Sequence, residues 1–515
     1  MESETKVTKS PYPQIFAVMV KNCLMLSFGM NLGYPTILIG GILSEDSDKL
    51  STTENSVSWM GSIGLLTVPV GGLLSGIVMQ PFGRKRIMQL ITIPFIFCWI
   101  IFYFSNKLWH IYLSLALVGF FGGLVEAPFS AYVSEITEAH LRGVLLTSGN
   151  IFFVLGIFIE FMLGTFCHWR NCALISCIFP TITFVLFFFV PESPYWLLQK
   201  NKIDKARKDL AWLRKGTGTD DIEVELQEMW NRHIMRSNVS DVSKQSDVYQ
   251  MKAPVSGLSI SEQAKLFFKN SFLWPFGIVT FATFLAMFDG AITIQTYAIS
   301  MFATLNVPLN TYHAAVSLAA SQLIASLLSA MLIHILGRRK TVFLSLTGVA
   351  LCNVFIAIYA YVNGITNIIL RTESETTDIM NAESWIPLSV IIFLCFIDHF
   401  GVYMMPWILM GELYSFDTRP MGCGISSTVS YLFNFVSTHF FLPAVSTLTI
   451  SGIFLIYGIN CIIGIIVLCY ILPETEGKTL EEITDHFEGI KKLENKVTKR
   501  DVTKISNTEK LYLFK

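Results

Sequence analysis

Long apolar stretches, separated by short polar or charged segments, occupy most of this chain. An apolar stretch of about 18 to 25 residues is long enough to cross a bilayer as a helix. Six such stretches precede residue 196 and six follow residue 269. Their expected bounds are 15–43, 57–80, 87–105, 109–133, 144–166, 170–190, 270–302, 312–335, 341–362, 385–410, 421–446 and 451–472. The pattern predicts an all-α membrane protein with twelve transmembrane helices in two six-helix halves.

The polar segments divide the chain into five parts. The segment between the two halves combines helical periodicity with many charges, as in KIDKARKDLAWLRK, which predicts a helical insert outside the membrane. The expected parts are an N-terminal tail over 1–14, a first half over 15–195, the insert over 196–269, a second half over 270–475 and a C-terminal tail over 476–515. Because each half has an even number of crossings, the insert and both tails should share one side of the membrane.

Basic loops decide the expected orientation. GRKR at 83–86, GRRK at 337–340, the lysine-rich insert and the tail after Lys491 all fall on that same side. By the positive-inside rule this side is cytoplasmic. We therefore expect both termini in the cytoplasm. We also expect no cleaved leader, because the first residues lack a basic segment followed by a short apolar core.

Composition and charge agree with a membrane protein. Hydrophobic residues make up 52% of the chain, charged residues 15%, and the mean hydropathy is +0.55. A net charge of −1 gives no broad basic surface for nucleic acid. Most of the ten cysteines lie in apolar stretches, where they behave as small hydrophobes. Cys167 and Cys172 flank a short outer loop, and whether they pair stays open.

Three charged motifs recur in the same order in the two halves. The pairs are GRKR at 83–86 with GRRK at 337–340, a glutamate seven residues before an arginine at Glu135–Arg142 and Glu412–Arg419, and PES from Pro191 with PET from Pro473. A chance scatter of surface charge would not repeat both the order and the spacing. The repeat indicates a tandem duplication of a six-helix unit.

The charged residues of these motifs predict a cytoplasmic gating network. Arginine guanidinium groups bind carboxylates through two parallel hydrogen bonds. We expect such pairs to hold the two halves together when the cytoplasmic side is closed and to separate when it opens, as in parallel repeats that rock about a central site. The predicted members are Arg84, Glu135, Arg142, Glu192, Arg338, Arg339, Glu412, Arg419 and Glu474. A basic loop that only sets topology is the alternative for any one motif alone, and the repeat favours the network.

Together the motifs resemble those of the sugar porter family of the major facilitator superfamily, and most of all its insect facilitated trehalose transporter-like members. The matching stretches are the two G-R-[KR] loops, PESPYWL at 191–197, Pro406-Trp407 and PETEGKTLEE at 473–482. The resemblance covers nearly the whole chain. It implies the major facilitator fold, a plasma-membrane location and alternating access that lets a sugar, trehalose or a hexose, move down its gradient. We also expect a functional monomer.

Amide, hydroxyl and aromatic side chains in the spans are candidate sugar contacts, because amides and hydroxyls bond sugar hydroxyls and aromatic rings pack on C–H faces. The candidates are Asn150, Thr293, Gln295, Tyr297, Gln322, Trp407 and Asn434. Gln322 and Trp407 are favoured because the resemblance places them at motif positions. A hydrogen bond between helices is the alternative for every candidate, and it is the favoured interpretation for Asn31 and Tyr431.

The resemblance also marks departures in span 7. Ala286, Met287 and Ile292 stand where relatives keep three amides for the sugar. Since the gating motifs are kept while these amides are missing, the resemblance implies an altered pocket. Whether the substrate is one of the usual sugars of the family therefore stays open.

Ionisable residues inside spans are costly and usually functional. Asp289, Asp398 and His399 are the candidates for proton coupling, with a structural hydrogen bond as the alternative. A facilitator is favoured, because coupled members of the family carry an acid in span 1, where this chain has Asn31. A proton- or ion-coupled symporter with a divergent, non-sugar substrate is the second hypothesis. A nutrient sensor that keeps the fold is the third.

Motifs for enzymatic chemistry do not support a catalytic function. GKT at 477–479 lacks the first glycine of a phosphate-binding loop, whose position is occupied by Leu472. No pattern predicts a metal ion or a cofactor. We expect a carrier without catalytic residues, whose partners are a small sugar and the lipid bilayer.

Overall fold

A computed structural model of the chain describes residues 11–44, 52–215, 221–230, 267–370, 384–415, 418–478, 480–488, 490 and 493. Helices dominate this part of the chain, and it contains no β-strand. The helices are numbered here in chain order. The end of the bundle that carries the loops at Gly83 and Gly337 is called the motif end, and the other end is called the opposite end.

Six crossings form the first half. They are α1 (Tyr12–Ser44), α2 (Glu54–Phe82), α3 (Arg84–Tyr103), α4 (Leu108–Ile136), α5 (Ala139–Phe166), and a sixth made of α6 (Trp169–Ser176) and α7 (Ile178–Leu186). Thr53 begins α2 as an N-cap whose hydroxyl accepts from the Ser56 N–H at 3.3 Å. Cys167 and Cys172, the two thiols left open as a pair, are both free.

Three helices follow the first half. They are α8 (Pro194–Gln199), α9 (Ile203–Leu213) and α10 (221–230). Ser193 caps α8 by accepting from the Trp196 N–H at 3.2 Å, and Pro194 takes the first helical position. The three helices share a small apolar core of their own, to which Trp196, Leu210, Ile222 and Leu226 contribute. The rest of the predicted insert, apart from 267–269, lies outside the described residues.

The second half repeats the first. Its crossings are α11 (Asn270–Met287) continued by α12 (Ala291–Thr296) and α13 (Ala298–Thr304), α14 (Thr311–Leu336), α15 (Arg338–Val362), α16 (Trp385–Phe400) continued by α17 (Met405–Leu413), α18 (Arg419–His439) and α19 (Phe441–Ile471). A short helix, α20 (Leu480–Phe487), follows. Most of the predicted C-terminal tail beyond it lies outside the described residues.

The predicted twelve-helix fold is confirmed. Eleven crossings in the described chain are long and apolar enough to span a membrane by length and composition alone. The twelfth, α18, is more polar because its sequence, RPMGCGISSTVSYLFNFVSTH, is rich in serine, threonine and glycine. It packs against α2 of the first half and α11 of the second, so its polar side faces protein.

Two helix pairs join the halves, α2 with α18 and α5 with α14. Within the first half α2 and α4 touch through glycines. A Cβ atom added to Gly119 would lie 2.0 Å from the Gly64 carbonyl oxygen, and one added to Gly71 would lie 1.9 Å from that of Phe120. Only glycine permits such a close approach of backbones.

A break in the seventh crossing positions the residues that face the space between the halves. α11 ends at Met287, and Gly290 has φ +94°, a left-handed conformation that favours glycine. A Cβ atom at Gly290 would also lie 2.7 Å from the Tyr457 ring. The chain restarts there as α12, whose next turns carry Gln295 and Thr296.

Candidate substrate site and charge networks

A cavity lies between the two halves. Its lining comes from α1, α2 and α4 of the first half and from α12 and α18 of the second. It contains about 570 Å³ of space outside atoms, including the part open to solvent. The polar side chains in its lining are Asn31, Gln295, Thr296 and Asn434, and no lining residue is ionisable. A mostly apolar cleft with a few convergent polar groups is the usual form of a small-molecule site.

The three side-chain amides that line this cavity, Asn31, Gln295 and Asn434, each form one hydrogen bond within the protein. The side-chain nitrogen of Gln322 donates to the Gln295 side-chain oxygen at 2.9 Å. Asn434 accepts from the Thr438 hydroxyl at 3.2 Å, and Asn31 donates to the Ser27 carbonyl at 2.8 Å. The other end of each lining amide has no partner among the described residues. These hydrogen bonds fix the orientation of the three amides, and the second polar atom of each amide is available to a ligand.

Gln322 therefore does not line the cavity, and its link to the cavity is the hydrogen bond that it donates to Gln295. Its own side-chain oxygen is buried without a partner among the described residues. Thr293 is fully buried, and its hydroxyl donates to the Gly290 carbonyl at 2.8 Å, which stabilises the start of α12. Of the predicted substrate residues, Gln295 and Asn434 line the cavity directly.

Three further candidates lie outside this lining. Asn150 donates to the Met404 sulfur at 3.0 Å, a contact between the two halves. Trp407 packs in the apolar core of the second half with its ring 6.1 Å from that of Tyr431. Tyr297 is buried, and its hydroxyl donates to the Thr438 carbonyl at 3.1 Å.

Contacts between the halves close the opposite end. The Thr36 hydroxyl of α1 donates to the main-chain carbonyl of Gln295 at 2.9 Å. Ser62 of α2 and His439 of α18 lie within hydrogen-bonding distance at 3.0 Å, and the Trp59 ring is 4.6 Å from the His439 ring. The first of these contacts reaches the backbone of a cavity amide. Closure of this end and placement of Gln295 are therefore physically linked.

The structure brings the three ionisable candidates together behind the cavity. Asp289 precedes α12, and its carboxylate accepts from the Ala291 N–H at 3.0 Å. Its carboxyl group lies within hydrogen-bonding reach of that of Asp398, and Asp398 lies 3.1 Å from the His399 Nδ1. All three are buried. Two neighbouring carboxylates repel each other in a low-dielectric site, which is why these residues are candidates for proton coupling.

A charge network lies at the motif end of the first half. Arg84 donates through Nε and Nη2 to one oxygen of Glu135, at 3.1 and 2.9 Å, and the Ser193 hydroxyl donates to the other oxygen. Glu192 accepts the main-chain N–H groups of Lys85 and Arg86, at 2.8 and 3.3 Å. Gly83, with φ +94°, makes the turn that directs these N–H groups at the carboxylate.

The second half repeats this network, with the main-chain donors shifted by one residue. Arg338 donates through Nε and Nη2 to one oxygen of Glu412, at 3.2 and 2.9 Å, and the Thr475 hydroxyl donates to the other at 2.6 Å. Glu474 accepts the N–H groups of Arg338 and Arg339, at 3.0 and 3.2 Å. Gly337, with φ +85°, makes the matching turn. The duplication read from the motifs is therefore also present in the hydrogen bonding.

The expectation that these charges join the two halves when the motif end closes stays a prediction; in this structure, whose opposite end is closed, the paired charges lie within one half. Arg84 and Arg338 each pair inside their own half, because the glycine turn before each of them fixes the backbone on the glutamate that ends the same half. Among the described residues, Arg142 and Arg419 form no salt bridge, and they donate to the carbonyls of Thr137 and Tyr414, both at 3.2 Å. The side chain of Arg339 donates to the Cys469 carbonyl at 2.6 Å.

The helices after the first half dock on its network. Arg214 is 4% exposed, and it donates to the Ile136 carbonyl at 3.1 Å and to Glu225 at 2.8 Å. Asp209 of α9 accepts the Glu192 N–H at 3.1 Å. Partial burial raises the pKa of Asp209, although the Glu192 N–H and nearby lysines oppose the change.

Sequence reasoning missed several participants. Ser193 and Thr475 complete the two networks, and their signal was the hydroxyl residue that follows the glutamate in both PES and PET. Asn31, assigned to helix packing, lines the cavity, as does Thr296. Asn31 carried a signal in being an amide in an otherwise apolar span.

Two duplicated six-helix halves around a shared, uncharged cavity define a membrane transporter of the major facilitator type. The chain belongs to the family described as sugar (and other) transporter, which matches residues 21–487.

Two relatives are similar to this chain along most of their length. The facilitated trehalose transporter Tret1 of Polypedilum vanderplanki is 25% identical over 478 residues, which cover 93% of this chain and 88% of the relative. Tret1 of Apis mellifera ligustica is 25% identical over 476 residues, covering 92% and 88%. Among solved structures, the inward-open xylose transporter XylE from E. coli has a TM-score of 0.69 at 18% identity, covering 91% of this chain and 99% of that one. This likeness supports the fold.

Proposed function

We propose that the protein carries a neutral sugar, trehalose or a hexose, down its gradient by alternating access. In this proposal it works as a monomeric carrier without catalytic activity in the plasma membrane, with the motif end and both termini in the cytoplasm. The observation that carries the proposal is the cavity between the halves, where three amides held at one end offer polar groups and no side chain is ionisable. Sugars need hydrogen-bonding groups without a net charge.

The cycle follows from the two ends of the bundle. With the opposite end closed by the Thr36 and Ser62 contacts, the ligand site communicates with the motif end. Reorientation separates these contacts and brings the motif ends of the halves together. The Arg84 and Arg338 networks keep the helix ends of each half rigid while the halves rock. The trehalose transporters named above support a sugar as the carried solute.

Uptake of labelled trehalose, glucose and fructose in transporter-deficient cells tests the proposal. We expect saturable uptake of at least one sugar, unchanged by a proton ionophore. Gln295→Ala should reduce it strongly, because it removes a cavity amide together with the partner of Gln322. Gln227→Ala, an exposed amide in α10, is the matched control and should leave uptake unchanged. Absence of uptake for all three sugars, at normal surface expression, would refute the proposal.

One observation favours proton- or ion-coupled transport as a second candidate. Asp289, Asp398 and His399 are buried together at the two helix breaks of the second half, directly before the α12 helix that lines the cavity. A proton shared there would be linked to the position of Gln295. Two results together would favour this candidate over the facilitator: wild-type uptake is abolished by the ionophore, and uptake by Asp398→Asn is unaffected by it. The solute of such a coupled carrier need not be a sugar.

A further inference from the structure

The cavity has one polar wall and one apolar wall. Gln295, Thr296 and Asn434 of the second half form the polar wall. The first half contributes one polar side chain, Asn31, and otherwise presents apolar side chains and glycines. Its apolar face on α2 and α4 consists of Leu65, Val68, Leu115 and Val118. A ligand held here meets amides on one side and hydrocarbon on the other.

Close backbone packing fixes the apolar wall in place. A Cβ atom on Gly119 would lie 2.0 Å from the Gly64 carbonyl oxygen, and one on Gly123 would lie 2.1 Å from that of Val68. The nearby hydroxyl of Thr67 is already donated to the Ala116 carbonyl at 2.7 Å. The two helices have no room to turn a polar group into the cavity, so the wall stays apolar when a ligand binds.

The polar wall offers few groups. Each amide has one end bonded within the protein, and the Thr296 hydroxyl donates to the Ile292 carbonyl at 3.1 Å. A ligand hydroxyl pressed against hydrocarbon loses its water partners without replacement, which lowers affinity by about ten-fold or more. A disaccharide with hydroxyls on every face would bury several of them against α2 and α4.

We infer that the preferred ligand is a neutral carbohydrate of monosaccharide size with one apolar face, such as a deoxyhexose or a simple alkyl glycoside. This inference rests on the proposed function and specifies its substrate class. The hydroxyls of the ligand face Gln295, Asn434 and Asn31, and its methyl or alkyl group faces Leu115 and Val118. Removing a hydroxyl from that face tightens binding, whereas removing one that meets an amide weakens it.

Ligand titrations of the full-length purified protein test this class. Dissociation constants for glucose, 6-deoxyglucose, methyl glucoside and trehalose follow from the rise in melting temperature with concentration. We expect at least one of the two less polar ligands to bind about five-fold or more tighter than glucose, and trehalose to bind weakest. In Val118→Thr, which keeps the shape and adds a hydroxyl to the wall, the preference should fall towards equality. Val185→Thr, the same change at a position 49% exposed on the outside of α7, is the control.

The results separate this inference from the function on which it rests. Glucose binding as tightly as both less polar ligands, or trehalose binding tightest, would overturn the inference while sugar transport stands. If no carbohydrate raises the melting temperature and none is taken up by cells, the proposed function fails and the inference fails with it. The comparison within the wild-type protein decides the matter even if Val118→Thr does not fold.

Discussion

Removing one partner of the Arg84–Glu135 pair should destabilise the first half strongly. The Arg84 side chain is 4% exposed and the Glu135 side chain 15%. In Arg84→Ala the buried carboxylate keeps only the Ser193 hydroxyl as a donor. Breaking a buried pair in this way typically costs about 3–5 kcal/mol, because an uncompensated charge remains in a poorly solvated place. We expect the apparent melting temperature in detergent to fall on the order of 10 °C.

The double variant tests the electrostatic explanation. Arg84→Ala combined with Glu135→Ala leaves no unpaired charge, so it should melt above Arg84→Ala alone, with a coupling of about 0.5–3 kcal/mol. If the loss of stability were purely steric, the effects of the two substitutions would add, and the double variant would have the lowest melting temperature.

An exposed pair in the same chain provides the control. The side chains of Arg207 and Glu223 are 44% and 50% exposed, at the same 2.9 Å separation as Arg84 and Glu135. Solvent screens such a pair, so Arg207→Ala should leave the melting temperature unchanged within error. If Arg84→Ala and Arg207→Ala shift the melting temperature equally, burial is not what makes the Arg84 network important.

Three other predictions follow from the turns and the helices next to the first half. Gly83→Ala should lower the free energy of unfolding by about 2 kcal/mol or more, because backbone strain at φ +94° adds to the close approach of the new Cβ atom, 2.7 Å from the Glu192 carboxylate. Gly364→Ala is the control: at φ +68° with no atom within 4 Å of the new Cβ atom, it should show only the backbone strain of about 1–2 kcal/mol. Melting temperatures of the two variants make the comparison. Arg214→Ala should release α9 and α10, detected as faster limited proteolysis there with unchanged melting of the membrane helices. Because burial raises the pKa of Asp209 above 3.8, the folded protein holds this proton more tightly than the unfolded chain. The associated stability is full below pH 3.8 and is lost as the pH rises through the folded pKa, so Asp209→Asn should remove this part of the pH dependence of the melting temperature.

Sequence reasoning located the fold because its signals are local. The length of each apolar stretch and the repeated glycine-arginine loops report directly on crossings and on duplication. The same signals could not say whether Arg84 pairs with Glu135 or with a carboxylate of the other half, since both copies of the motif carry the same residues. The pairing depends on the turn at Gly83 and on the position of Glu192 after folding.

The cavity was harder to predict than the networks. Gln295 and Asn434 were recognised as polar residues in spans, but so was Asn150, and Trp407 was favoured by its motif position; the structure places both of these outside the cavity lining. Which side of a helix faces the partner half depends on breaks such as that at Gly290, which rotates α12 relative to α11. The apolar wall has no polar signal at all. In the sequence, Leu115 and Val118 cannot be distinguished from other apolar residues of a span, and only the packing of α2 on α4 shows that they line the cavity.

The polar composition of α18 has a consequence for insertion of the chain into the membrane. This crossing is less hydrophobic than the other eleven, and Ser426, Ser430 and Thr438 are 1%, 2% and 0% exposed once it is packed. During synthesis α18 therefore has no favourable place in the bilayer until α2 and α11 are there to cover it. We therefore expect insertion of the second half to depend on the first half, so that the contact between α2 and α18 matters for assembly as well as for the folded transporter.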